Sequence, residues 1–439
     1  MHHMCRFRLS VVVPAYNNAP LLDLTLGGLA RQTMPAGDFE VIVNDDGSPV
    51  PLAPAVDKYA DRLNVTCVRA EHNRGRSAGR NAGAARASAD LLVFVDADTV
   101  AHPALLERHA AYHDGREGRP GVLLGERFDI DWAGAGALLR GESPTPAMLD
   151  AYRADPRDGH TAHPQHRLDF ARAPWLLGFT HNASVDRATF EAVGGFDEAI
   201  VKWGLEDSEL FYRVFHHHGC PPDLFARDPL AISYHMPHYR PTGELLGTLD
   251  NIRYIARKHP RYDFEAMHSP ATLGQVMGKV RLYSDAVAAC RRAGLGRPGV
   301  LPAEVRAGLA DRTLIAGYGV SRLPLGTGSH TFDQDAPIDE TNWHRLGLML
   351  QDFRTGQFAQ FIHIDLWRCL MPDDLSLLVT KGLRKADRLV LVASHSAPDA
   401  ASMLPVPFVD DLDYAARMLA ARFDVSTAVH EEATVLTIR

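Results

Sequence analysis

Asp96 and Asp98, two carboxylates separated by one residue, close the apolar run Leu91 to Val95. In an extended segment alternate side chains share a side, so both can reach one hard divalent cation that also touches a diphosphate. Asp-x-Asp alone is commonly a solvated turn. Here the preceding strand is apolar, and Asp45 and Asp46 close a second apolar run, Phe39 to Val43. Burying that much acid uncompensated is costly, so a cation is the natural partner. The stretch Asn73-Arg74-Gly75-Arg76-Ser77-Ala78-Gly79-Arg80-Asn81-Ala82-Gly83 sets guanidinium forks and glycines at a helix start, where N–H groups meet phosphate oxygens. A basic solvated first turn explains Arg74 and Arg76 as well. It explains Arg80 less well, because that residue lies inside a helix of small side chains.

These residues need a scaffold. Leu9 to Pro14, Phe39 to Val43, Val65 to Arg69 and Leu91 to Val95 read as buried parallel strands, with helices over Leu21 to Gln32 and Ser77 to Ala89. This alternation is the βαβ pattern of an open, single-Rossmann-like α/β sheet, whose ligands sit beyond the carboxyl ends of its strands. Tyr16, Asp45, Asp46, Asp96 and Asp98 all fall there. Gly115 to Pro174, poorly periodic and rich in Pro and Gly, reads as a long insertion or loop near the site. Ordered patterning returns over Trp175 to Tyr239. Leu245 to Lys258 and Leu273 to Arg292 read as helices, and Gly294 to Pro302 as a linker.

A chain of 439 residues suits two or three domains. Hydrophobic residues at 46% and charged residues at 23% are globular proportions, and a net charge of −8 argues against nucleic acid as partner. The cysteines, Cys5, Cys67, Cys220, Cys290 and Cys369, lie singly, which indicates neither a disulfide framework nor a thiolate zinc site and fits a cytoplasmic location. No run is long enough to span a bilayer, and Met1 to Arg8 has no apolar stretch, which leaves room only for peripheral membrane contact.

The runs LSVVVPAYN, VIVNDDGS, NRGRSAGRNAG and VFVDAD, in this order and spacing, resemble the family-2 glycosyltransferases of the GT-A fold. GGFDEAIVKWGLEDSELFYR followed by SYHMPHYR is similar to the carboxyl half of the catalytic domain in galactosyltransferases, polypeptide N-acetylgalactosaminyltransferases and chondroitin-type synthases. The resemblance implies that Pro14, Tyr16 and Asp46 hold the uracil and ribose of a UDP-sugar, with Arg80 near the nucleotide. It implies that Asp98 with Asp96 holds Mn²⁺ or Mg²⁺ on the diphosphate, joined by His238 and secondarily His235. Glu206-Asp207 looks like the family's acidic pair, Asp207 as catalytic base and Glu206 toward the acceptor, with Trp203 and Gly204 as a floor under the sugar. The plainer alternative is that both acids cap the helix Ser208 to His217, worth about 0.3–1 kcal/mol. The implied reaction is an inverting, metal-dependent displacement onto an acceptor hydroxyl of a small molecule, peptide or glycan, without a covalent intermediate. Asn44 departs from the family pattern, where an apolar or acidic residue is usual, and Gly115 to Pro174 aligns with nothing.

The resulting division is a GT-A catalytic domain over 1–240, a helical segment and linker over 241–308, and a smaller α/β domain over 309–439. In the last, Thr313 to Tyr318, Phe361 to Leu366, Arg388 to Ala393 and Ala433 to Ile438 read as strands. Gly317-Tyr318-Gly319, with Asp333 and Asp335, is weakly similar to the cofactor site of class I methyltransferases. The interval Gly319 to Phe332 is too short for their usual crossover helix, so acceptor docking or self-association as a homodimer is the expected use. The alternatives are a bifunctional glycosyltransferase and methyltransferase, or a non-catalytic sugar-nucleotide-binding scaffold.

Overall fold

The computed structural model describes residues 7–142, 152, 164–238, 244–268, 273–395 and 408–439. The chain forms two compact units, Met1–Asn251 and Ile252–Arg439.

The first unit is an α/β domain around one eight-stranded sheet. Strands β1 (Leu9–Ala15), β2 (Phe39–Asp45), β3 (Val65–Arg69) and β4 (Leu91–Val95) stand in the order β3-β2-β1-β4, all parallel. Val11, Val12, Val13, Val41, Ile42, Val43, Val93 and Phe94 are buried, as expected of strands covered on both faces. The helix α1 (Ala19–Leu29) follows β1, and α2 (Arg76–Ala84) returns the chain to β4. Small residues let α2 lie close: a Cβ on Gly83 would stand 2.6 Å from Val12 Cγ1. The helix ends at Ala84, five residues short of the expected Ala89.

Beyond β4 the sheet changes character. The order continues β7-β6-β8-β5, with β5 (Thr99–Ala101), β6 (Val122–Asp129), β7 (Asn182–Asp186) and β8 (Phe225–His235). β7 runs antiparallel to β4 and to β6, while β8 is parallel to β6 and antiparallel to β5. The segment expected to be a loop thus supplies a central strand. It also supplies the helices Trp132–Leu139 and Pro164–Arg172. The remainder of the expected insertion, 143–151 and 153–163, lies outside the described residues. The β6–β8 register shifts between Gly125 and Glu126. The Asn182 amide donates there to the carbonyls of Glu126 (3.1 Å) and Ala231 (2.8 Å), and a Cβ on Gly125 would collide with it at 2.3 Å. This bulge brings Asp129 opposite His235 in the ladder.

The second unit holds a six-stranded sheet in the order β10-β9-β11-β12-β14-β13. Its strands are β9 (Thr313–Gly317), β10 (His330–Asp333), β11 (Gln360–Ile364), β12 (Leu389–Ser394), β13 (Val425–Val429) and β14 (Ala433–Ile438). The first four are parallel, and β14 is antiparallel to both neighbours. Trp367, Tyr318, Phe332, Phe358 and Phe361 form its core. No helix among the described residues is long and apolar enough to cross a membrane.

Candidate active site

The site lies beyond the carboxyl ends of β1, β2 and β4, the usual ligand position in an open α/β sheet. It has two linked parts. The first is built around Arg80, which α2 carries into the interior at 2% exposure. Its guanidinium donates to Asp96 Oδ1 (2.8 Å) and lies 3.4 Å from Glu206 Oε1 and 3.5 Å from Asp207 Oδ1. It also stacks over the Phe196 ring at 5.3 Å. Burial alone would lower the Arg80 pKa, but Asp207, Asp96 and Glu206 outweigh it and raise it. For Asp96, the burial that favours the neutral acid is overcome by Arg80 and Arg76, so its carboxylate form is favoured.

Glu206 and Asp207 open the helix α5 (Glu206–His217). Leu205, at φ +70, and Gly204, at φ +100, turn the chain sharply into it. Glu206 Oε2 accepts the Gly204 N–H (3.0 Å), and the Asn251 amide donates to the Gly204 carbonyl (2.7 Å), which holds the Trp203-Gly204 turn. Asp207 is gripped by Thr180, whose hydroxyl donates to Oδ1 (2.5 Å) and whose N–H donates to Oδ2 (3.2 Å). Burial pushes the Asp207 carboxyl up, Arg80 opposes it and Glu206 adds to it, and the result is about 6.

The second part centres on Asp98. Its Oδ2 lies 3.8 Å from His235 Nε2 and 3.5 Å from His238 Nδ1. Ligand atoms of these three residues all lie within 4.8 Å of one another, the compactness one cation needs. β8 ends at His235, and the Met236 N–H donates to the Asp98 carbonyl (2.9 Å), tying the two strand ends together. The other His235 nitrogen, Nδ1, faces Asp129 Oδ1 at 3.0 Å, and Arg127 reaches the same carboxylate at 2.9 Å. Burial would raise the Asp129 pKa, but His235 and Arg127 hold it well below the ordinary range. An imidazole held this way presents its second nitrogen in a fixed orientation.

Other residues singled out from the sequence take these places. Asp96 turns to Arg80 and is not one of the three clustered ligands. Asp46 spends both oxygens on backbone, accepting from Arg74 N (3.0 Å) and Gly75 N (2.8 Å), and so shapes the basic loop. Asp45 is buried and accepts from Ser48, Leu52 and Arg69, which outweigh burial and lower its pKa. Pro14 is partly covered near the end of β1, and Tyr16 is 48% exposed beyond it. Asn44 is buried against Gly79 of α2. Thr180 and Asp129 were not anticipated as site residues. Nothing local marks Thr180 or Asp129, because both depend on where β6 and β7 enter the sheet.

In the second unit the strand ends around Gly317-Tyr318-Gly319 are filled by the chain itself. A Cβ on Gly317 would stand 2.5 Å from the Gly296 carbonyl oxygen. Asp365 accepts from Gly296 N (2.8 Å) and from Ser394, and Asp333 accepts from Gly319 N (2.8 Å) and from Ser321. Both carboxylates are consumed in holding these turns.

Residues 10–167 match the family model of glycosyl transferase family 2, and residues 176–238 that of the N-terminal domain of galactosyltransferase. The chain is 38% identical over 262 residues to a validoxylamine A glucosyltransferase from Streptomyces hygroscopicus subsp. jinggangensis, covering 57% of this chain and 61% of that protein. It is 28% identical over 223 residues to a chondroitin synthase from Pasteurella multocida, covering 47% of this chain and 23% of the synthase. The chain thus spans about three fifths of the glucosyltransferase relatives it matches. A crystal structure of S. aureus TarS 1–349 in complex with UDP-GlcNAc is 19% identical, covers 63% of this chain and 73% of that one, and superposes with a TM-score of 0.44. The two family matches together take in Arg80, Asp98, Asp207, His235 and His238, so these site residues lie in the part of the chain that matches glycosyl transferase family 2 and the N-terminal domain of galactosyltransferase.

Proposed function

We propose that the N-terminal unit transfers a sugar, with inversion, from a UDP-sugar to an acceptor hydroxyl. The observation that carries this reading is the adjacency of two sets of groups: the compact Asp98, His235 and His238 cluster, and the carboxyl of Asp207 held beside Arg80. The first three fit a divalent cation, and two imidazoles favour Mn²⁺ over Mg²⁺, which prefers oxygen donors. When bound, such a cation offsets the negative charge that builds on the departing diphosphate. Asp96 and Arg80 flank that charge. Pro14, Tyr16 and Asp46, at or just beyond the ends of β1 and β2, are assigned to the uridine, Asp46 through the loop it shapes.

Asp207 is assigned as general base. It takes the acceptor proton as the acceptor oxygen bonds to the anomeric carbon, and UDP leaves with the electron pair of the broken C–O bond. A carboxyl raised to about 6 is well matched to that task near neutral pH. Glu206, bonded to Gly204, supports the turn on which Trp203 and Gly204 would face the sugar. The 38% identity to a glucosyltransferase supports a hexosyl donor. The acceptor class is left as a small molecule, peptide or glycan.

The test is UDP release across a panel of UDP-sugars with Mn²⁺. Release from one donor, abolished by EDTA and by Asp207→Asn, supports the proposal; silence across the panel together with no UDP binding overturns it. UDP binding without turnover for any sugar or acceptor identifies the scaffold alternative instead.

A further inference from the structure

The second unit ends its sheet on β13, and among the described residues no strand pairs with its outer edge. Ser426, Thr427, Ala428 and Val429 are all exposed, Val429 by 74%. Natural edges are usually blunted by lysine, proline or a bulge. β13 reads Val-Ser-Thr-Ala-Val, with none of these.

The hydrogen-bond pattern says which backbone groups face outward. Asp424 and Arg439 exchange both backbone bonds, at 3.2 and 2.9 Å, and His430 N donates to the Ala433 carbonyl at 2.9 Å. In an antiparallel ladder such pairs alternate, so Ser426 and Ala428 also turn toward β14. The N–H and C=O of Val425, Thr427 and Val429 therefore point away from the sheet. A two-fold axis at Thr427 maps this set onto itself: Thr427 meets the partner's Thr427, and Val425 meets the partner's Val429. Each outward residue then both donates and accepts, and no other register pairs all three. No like charges meet within the strand. The same axis sets Arg422, just before the strand, alongside the acidic turn formed by the partner's Glu431 and the partner's Glu432, which is charge-complementary. The neighbouring helix α6 (Leu412–Ala420), which packs on β13, offers a further apolar group in Tyr414, 64% exposed.

We propose that two copies of this chain associate through β13, antiparallel about Thr427, to form one continuous sheet with six strands from each copy. An isologous contact of this kind closes on itself, because it uses the β13 edge of both copies and leaves only β10 at each outer end of the joined sheet.

Light scattering on the full chain tests this. The mass should approach twice 48.2 kDa as concentration rises through the micromolar range. Thr427→Lys, which places like charges directly across the axis, should return the monomer without changing UDP release. Should that variant fail to fold, a charge swap carries the test: Arg422→Glu should weaken the dimer and Arg422→Glu with Glu432→Arg should restore it. A chain that stays monomeric throughout overturns the proposal, as does a dimer indifferent to Thr427→Lys or a swap that fails to restore association.

Discussion

At the scale of single residues, the site depends on groups that hold other groups. Asp207 must be ionised to accept a proton, and with its carboxyl near 6 the rate should rise with pH through that value and level off above it. The Thr180 hydroxyl bond favours the carboxylate, so Thr180→Ala, which loses that bond and keeps the N–H one, should move this limb to higher pH, read as a shifted pH–rate profile. Asp207→Asn should lower turnover by about 10²–10⁴-fold while UDP binding persists. Asp129 stands behind His235, and such partners are typically worth about 10–100-fold in metal affinity. Asp129→Asn should weaken Mn²⁺ binding by that factor in calorimetry, even without substrate. The clustered carboxylate Asp98 and the buried Arg80 were legible as motifs, since a strand end and a small-residue helix mark them. Their supports were not legible, because the Thr180–Asp207 and Asp129–His235 pairs form only after distant strands are placed side by side.

Whole elements set how these groups are aimed. α2 carries Arg80 and lies against β1 through Gly83, so Gly83→Leu forces overpacking at Val12. A loss of about 1–3 kcal/mol is expected, seen as a lower unfolding temperature. The helix α3 (Leu105–Asp114) buries His109 between Ser184 and Asn182 of β7, and His113 reaches the same serine. Burial drives both imidazoles down to about 4, with a smaller upward pull on His109 from Asn182 and a further lowering of His113 by His109. A base whose folded pKa is lowered contributes stability above its unfolded value and loses it as pH falls. The unfolding temperature should therefore drop between pH 6.5 and 4, and less so in His109→Gln. The parallel strands were readable because burial on both faces leaves near-continuous Val, Ile and Leu. β6 was not, since its second half carries Glu126, Arg127 and Asp129, and it is Arg227 and His235 of β8 that pair with Glu126 and Asp129.

At the scale of the molecule, two units with separate sheets share one chain. The first has its strand ends lined with paired acids, bases and histidines. The second has the same kind of sheet end closed by its own Gly296 and Ser394, with Asp333 and Asp365 committed to backbone and hydroxyl donors. Calorimetry with S-adenosylmethionine should accordingly give no binding heat, in contrast to UDP. That difference was only partly visible beforehand: the short Gly319 to Phe332 interval hinted at it, while the contact of Gly296 with Gly317 joins positions whose proximity no spacing rule reveals.

Asp98, His235 and His238 are proposed to act as one cation site for the donor diphosphate. Calorimetric titration of UDP with and without Mn²⁺, on the wild type and on Asp98→Ala, addresses this most directly. Mn²⁺ should tighten UDP binding at least tenfold in the wild type and leave Asp98→Ala unchanged; equal UDP affinity with and without the metal in the wild type would contradict the account.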